Sequence, residues 1–212
     1  MRRLQIRPGA RARTIFTGLG LAALTALTAC ADAPAQPPEQ VSRALPATRW
    51  DHHPQAAVWT RATMSAATGP ASELVETVPA DIETFCPGYA EAGARDRGAF
   101  WAGLFSGLAR FESTWNPRAA GGGGRYRGLL QISPATARYR GCSIDSGDDL
   151  YDGATNLGCG ARIAAAAVAR DGVVAGRPGD WGGVAADWPP LRDPAKRGEI
   201  AAFTRAQPYC AG

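Results

Sequence analysis

The chain has 212 residues, a formal net charge of +4, and 45% apolar residues, which suits one domain with appendages. Lys196 is the only lysine among 23 basic residues, and these are spread along the chain without a dense run interleaved with aromatics. That argues against nucleic-acid binding. His52 and His53, the only histidines, lack metal-ligand spacing to each other or to any cysteine and read as a surface pair at a helix start.

Met1-Arg2-Arg3, with Arg7, Arg11 and Arg13, forms a positive leader ahead of Ile15 to Ala29, an apolar run too short and interrupted for a membrane span. It ends in Leu27-Thr28-Ala29-Cys30, which resembles the lipobox of bacterial lipoproteins. Cleavage there would leave Cys30 acylated and anchored to a membrane. A plain secretory signal is the other reading, and either one takes the chain out of the cytoplasm. We expect a signal peptide over 1–29 and a periplasmic protein, lipid-anchored to the inner or outer membrane. Residues 31–47, rich in Ala, Pro and Gln, cannot bury enough apolar surface to order themselves. A tether is expected over 30–80, with a short helix near 50–66 and Pro54 in its first turn. The main domain is expected over 81–212.

Phe100, Trp101, Leu104, Leu108 and Phe111 recur at spacings of three and four, the stripe of a buried helix. Glu112 follows at its end, and Asn116-Pro117 stops the helix, because a residue before proline avoids the helical region. A carboxyl half-buried there is held protonated near neutral pH, as a general acid requires. Gly121 to Gly124 lose much entropy when ordered, which predicts a mobile or ligand-ordered loop. Arg125-Tyr126-Arg127 and the apolar turn Gly128-Leu129-Leu130-Gln131-Ile132-Ser133 follow, and Pro134 opens a helix to Tyr139. An acidic segment, Asp148 to Asp152, leads to an Ala-rich helix over 161–170. No alternating strand pattern of convincing length is present. Beside Cys30, the even set Cys86, Cys142, Cys159 and Cys210 reads as two disulfides in an exported chain. Three pairings are open, and we expect Cys142–Cys159 and Cys86–Cys210. The absence of a Cys-x-x-Cys pair argues against a metal site.

Glu112-Ser113, Asn116-Pro117 and Gly128-Leu129-Leu130-Gln131, in this order and at these distances, resemble the soluble lytic transglycosylase family over roughly residues 95–170. The resemblance implies a mainly α, lysozyme-like helical domain, in which a small β-element often stands beside the cleft. It implies cleavage of the MurNAc–GlcNAc β-1,4 bond in peptidoglycan, with no cofactor or metal and with 1,6-anhydromuramyl ends. Glu112 would be the single acid and base. Ser113 would hydrogen-bond near the carboxyl or the substrate, Gln131 and the backbone at Gly128 and Leu130 would hold the N-acetyl side, and Tyr126 would stack on a sugar. Asn156 matches the family's helix-start asparagine, with a structural role. The family's Ala-Tyr-Asn tripeptide is absent. Trp181, in Gly179-Asp180-Trp181-Gly182-Gly183, stands in its place as a sugar-stacking face; the other reading packs Trp181 and Trp188 in the C-terminal tail. We expect a monomer acting on glycan strands. The alternatives are a hydrolytic muramidase using the same Glu112 and a non-catalytic peptidoglycan-binding lipoprotein.

Overall fold

The computed structural model describes residues 44–211. The leader, Cys30 and the start of the tether lie outside the described residues. Seven α-helices are described: α1 Ala56–Ala67, α2 Glu73–Glu76, α3 Ala94–Ser113, α4 Pro134–Tyr139, α5 Gly153–Asp171, α6 Val184–Asp187 and α7 Pro194–Arg205. Two small antiparallel hairpins accompany them: β1 Ala120–Gly121 with β2 Tyr126–Arg127, and β3 Gly176–Arg177 with β4 Asp180–Trp181. The fold is mainly α, with the β1–β2 hairpin beside the main cleft.

α3 is the axis of the domain. Its central residues, Gly98 to Ala109, are buried all round, as expected of a helix surrounded by others. α1 packs on one side of it and α7 on another. The α7 side is possible because Gly103 and Gly107 lie one turn apart; a Cβ at Gly107 would meet Ile200 at 3.0 Å, and one at Gly103 would collide with the Tyr209 hydroxyl. Trp101 donates its indole N–H to the Leu74 carbonyl at 2.9 Å, so the largest core side chain also fixes α2.

The domain boundary expected at residue 81 is not where the structure divides. Trp50 and Trp59 are fully buried, 5.8 Å apart edge to face, and α1 packs on α3 and α5. Burying two tryptophans removes a large apolar area from water, so 44–80 belongs to the core rather than to a tether. Pro54 lies in the turn ahead of α1, not within its first turn. His53 stacks on Trp59 at 4.1 Å, and His52 sits edge-on to Trp115.

Cys86–Cys210 joins the two ends of 81–212, with Cα atoms 4.7 Å apart. Cys142–Cys159 closes the acidic loop onto α5. Asp81 accepts the Val174, Ala175 and Gly176 N–H groups, fixing the β3–β4 hairpin to the N-terminal part.

Candidate active site

α3 stops immediately after its acid. Thr114 and Trp115 both take left-handed backbone angles, φ 52 and 57, and their N–H groups return to the Arg110 and Ala109 carbonyls. Such angles cost energy in residues other than glycine, and Trp115 offsets this by burying part of its ring and donating its indole N–H to Ser106 O at 2.8 Å. Glu112, on the last helical turn, therefore faces a cleft of about 700 Å³ rather than continuing along a surface helix.

One wall of this cleft is the β1–β2 loop with Gln131. A buried polar network holds it. Asn156, fully buried in the first turn of α5, accepts the Leu130 N–H and donates to the Arg127 and Leu150 carbonyls, each at 2.9 Å. Gly128 has φ 76, and any Cβ there would strike Asn156 and the Leu150 carbonyl, so only glycine fits. Ser113 Oγ bridges to the Leu129 carbonyl at 2.9 Å, tying the acid's helix to this turn. Gln131, again left-handed at φ 49, donates Nε2 to the Gly128 and Ala119 carbonyls, and its Oε1 closes on the space above Gly121.

The opposite wall comes from α6, the prolines Pro189 and Pro190, and the start of α7. It presents Asp187, Trp188, Asp193 and Lys196. Trp188 is buried and donates its indole N–H to Leu130 O at 2.9 Å, stitching the two walls together beneath the cleft. Tyr126, exposed on the loop, borders the cleft and a second trough of about 480 Å³ that continues past Arg125 and Thr136.

Electrostatics single out Glu112. Burial in this apolar corner pushes its carboxyl up to about 7, and the Lys196 ammonium offsets part of that rise. Near neutral pH it can both give and take a proton, which is the requirement for general acid–base work. Asp187 is also raised, by desolvation first, opposed by Arg140, Arg170 and Arg192. The carboxylates of the cysteine-bounded loop do other work. Asp148 pairs with Arg127, Asp149 caps the turn at Ser146, and Asp152 caps α5 through the Thr155 N–H. Among the described residues no cluster of His, Cys, Asp or Glu could hold a metal ion.

The family model of the transglycosylase SLT domain matches residues 90–170. Structures of Bd0314 DslA superpose well. A glutamate-to-glutamine variant has a TM-score of 0.72 at 31% identity, covering 79% of this chain and 100% of that one. A second such variant and a wild-type form give 0.71 and 0.70 at the same identity and coverage. The chain belongs to the SLT transglycosylase family. No curated protein matches it. The family relation makes this a lytic-transglycosylase-like protein acting on peptidoglycan glycan strands, with the lysozyme-like fold of the SLT domain.

Of the residues expected in an SLT site, the structure gathers Glu112, Tyr126 and Gln131 around one cleft. Three others lie behind it. Ser113 bolts the helix to the turn, and the backbone at Gly128 and Leu130 is occupied by Ala119, Gln131, Asn156 and Trp188 rather than open to a sugar. Trp181 lies outside the cleft lining, its ring under the Arg197 guanidinium at 5.1 Å. Trp188 lines the cleft instead, with its ring almost wholly buried. Asp187, Asp193 and Lys196 were not anticipated, and they fall beyond the stretch that the SLT family model matches. Two cues for them were legible: the Asp193-Pro194 helix start and the single lysine of the chain.

Proposed function

We propose that the protein is a lytic transglycosylase that cleaves the MurNAc–GlcNAc bond with Glu112 as its only acid and base. The observation that carries this is one carboxyl, raised to about 7, at the head of the cleft in an SLT-family fold. Glu112 donates its proton to the glycosidic oxygen as the bond from that oxygen to C1 of muramic acid breaks. The muramyl N-acetyl oxygen stabilises the cationic C1. The ionised Glu112 then takes the proton of the muramyl 6-hydroxyl, whose oxygen closes on C1 and leaves a 1,6-anhydro ring. No water is consumed, and Glu112 ends protonated, ready for the next bond. Tyr126 provides an exposed aromatic surface for a sugar ring, and the trough past it extends the track for a strand. The lipobox-like Leu27-Thr28-Ala29-Cys30 supports a periplasmic, membrane-anchored enzyme, and the expected form is a monomer.

Asp187 favours a second reading. It lines the same cleft as Glu112, and a paired carboxylate could activate water for hydrolysis. Mass spectrometry of muropeptides released from purified sacculi separates the two. Anhydromuramyl ends that persist in Asp187→Asn and vanish in Glu112→Gln establish the transglycosylase. Reducing ends, one water heavier and dependent on Asp187, establish a hydrolase. No release by any form leaves a binding protein.

A further inference from the structure

Among the described residues one cation, Lys196, lines the cleft. Lys196 stands in the first turn of α7, on the wall across from Gln131. Its ammonium lies 5.6 Å over the ring of Phe111, the residue before Glu112. Among the described residues its Nζ makes no hydrogen bond or salt bridge; only its backbone N–H is bound, by Asp193. The cations around it are occupied. Arg110 and Arg49 share Glu199, Arg192 reaches the Ala185 carbonyl, and Arg197 reaches the Leu191 carbonyl. The acidic groups facing the same space are Glu112 from α3, Asp187 from α6 and Asp193 at the head of α7. Asp193 accepts the Ala195 and Lys196 N–H groups through Oδ1, and these backbone bonds, with the Lys196 charge as a smaller contribution, hold its carboxyl low. In a chain that uses arginine for every other basic side chain, a lysine suits a mobile point charge better than a planar fork held in place.

We propose that Lys196 is a receptor for a carboxylate of the glycan substrate bound in this cleft. The inference rests on the reading that a peptidoglycan strand occupies this cleft. Such a strand carries carboxylates from two sources, the lactyl ether of muramic acid when it is unsubstituted, and the stem peptide when it is present. Either gives the ammonium a charge-assisted hydrogen bond. It also changes the acid. In the empty cleft the lysine's charge opposes protonation of Glu112. A seated carboxylate neutralises that charge, so Glu112 holds its proton more firmly when a strand is in place. A polymer of uncharged sugars would not produce this effect.

Binding is measured with the full chain carrying Glu112→Gln, a neutral stand-in for the protonated acid that leaves strands uncut. Three purified strands serve as probes: peptide-free strands with lactyl carboxylates, peptide-bearing strands, and peptide-free strands whose carboxyls are amidated. Lys196 should favour a carboxylate-bearing strand over the amidated one by about tenfold, the order of one charge-assisted hydrogen bond. Adding Lys196→Gln should abolish the preference by weakening only the charged strands, and Lys196→Arg should restore part of it. Tighter binding of the peptide-free strand assigns the lactyl group, and tighter binding of the peptide-bearing strand assigns the stem. In the active enzyme, Lys196→Gln should move the alkaline limb of kcat/KM upward. An unchanged ratio in Lys196→Gln overturns the inference and leaves the glycan reading intact. Failure of all three strands to bind overturns both. Lys196 is exposed at a helix start, so the variant should fold, and circular dichroism checks that.

Discussion

The two walls of the cleft are built on different principles. The wall carrying Glu112 and Gln131 is over-determined. Asn156, Ser113 and Gly128 leave its backbone no freedom, and three non-glycine residues, Thr114, Trp115 and Gln131, sit at left-handed angles because their surroundings hold them there. The wall of α6 and α7 is fixed underneath by Trp188, while its charged groups, Asp187, Asp193 and Lys196, face solvent. A general acid misplaced by an ångström loses most of its effect, so its support is buried hydrogen bonding. Charges that select a substrate tolerate movement. The contrast can be tested by changing one wall at a time.

Glu112→Gln should produce the largest effect. Loss of a general acid costs about 10³-fold in rate. In the wild type, activity should decline as pH rises through about 7, where the carboxyl loses its proton. Stability should fall with rising pH as well. The folded carboxyl binds its proton more tightly than the ordinary value of 4.5, so the folded protein loses stability as pH climbs from there to about 7. The loss is on the order of 3 kcal/mol once both states are ionised. Glu112→Gln should therefore melt higher than wild type at pH 8 and equally at pH 4. Equal melting at both would mean that the acid is not held in a strained, desolvated position.

Asn156→Ala comes next. It leaves the Leu130 N–H and the Leu150 carbonyl without their side-chain partner and the Arg127 carbonyl with the Ile132 N–H alone, and should cost about 3 kcal/mol. That lowers Tm by roughly 10 °C in a domain of this size. By contrast, Asp187→Asn on the other wall should change stability by less than about 0.5 kcal/mol, as exposed substitutions do. Similar costs in thermal melts would erase the distinction between the walls.

The first wall was the one legible in the sequence. The stripe from Phe100 to Phe111 placed α3, its end placed Glu112, and the Gly-Leu-Leu-Gln turn placed the loop. What the sequence could not convey was the direction of each group. Gly128, Leu130 and Ser113 matched a motif read as sugar-binding, yet Gly128 bonds Ala119 and Gln131, Leu130 bonds Asn156 and Trp188, and Ser113 bonds Leu129, because the turn is pinned from behind. Helix α3 ends ahead of Asn116-Pro117 at two left-handed residues that carry no glycine signal. The second wall was hidden for another reason. Trp188 meets Leu130 across 58 residues, and no local pattern announces such a contact. Composition also misled at 44–80, where the Ala- and Pro-rich run before Ala47 drew Trp50 and Trp59 into a tether although aromatics of that size point to a core.

The smallest effects distinguish the two tryptophans after the catalytic helices. Trp188→Phe keeps a ring in the cleft wall but leaves the buried Leu130 carbonyl without its indole donor, a cost of about 1 to 2 kcal/mol. Because that bond joins the walls, the rate should fall severalfold with little change in KM for strands that do not fill the Trp188 face. Trp181→Phe should leave the rate within about twofold. It removes only part of a surface under Arg197, 5.1 Å from the ring, on a hairpin that Asp81 holds independently. Turnover of purified sacculi by the two variants, side by side, measures the difference. A larger loss in Trp181→Phe would return the stacking role to the β3–β4 hairpin, and the strand would then have to cross α7 rather than follow the trough past Tyr126.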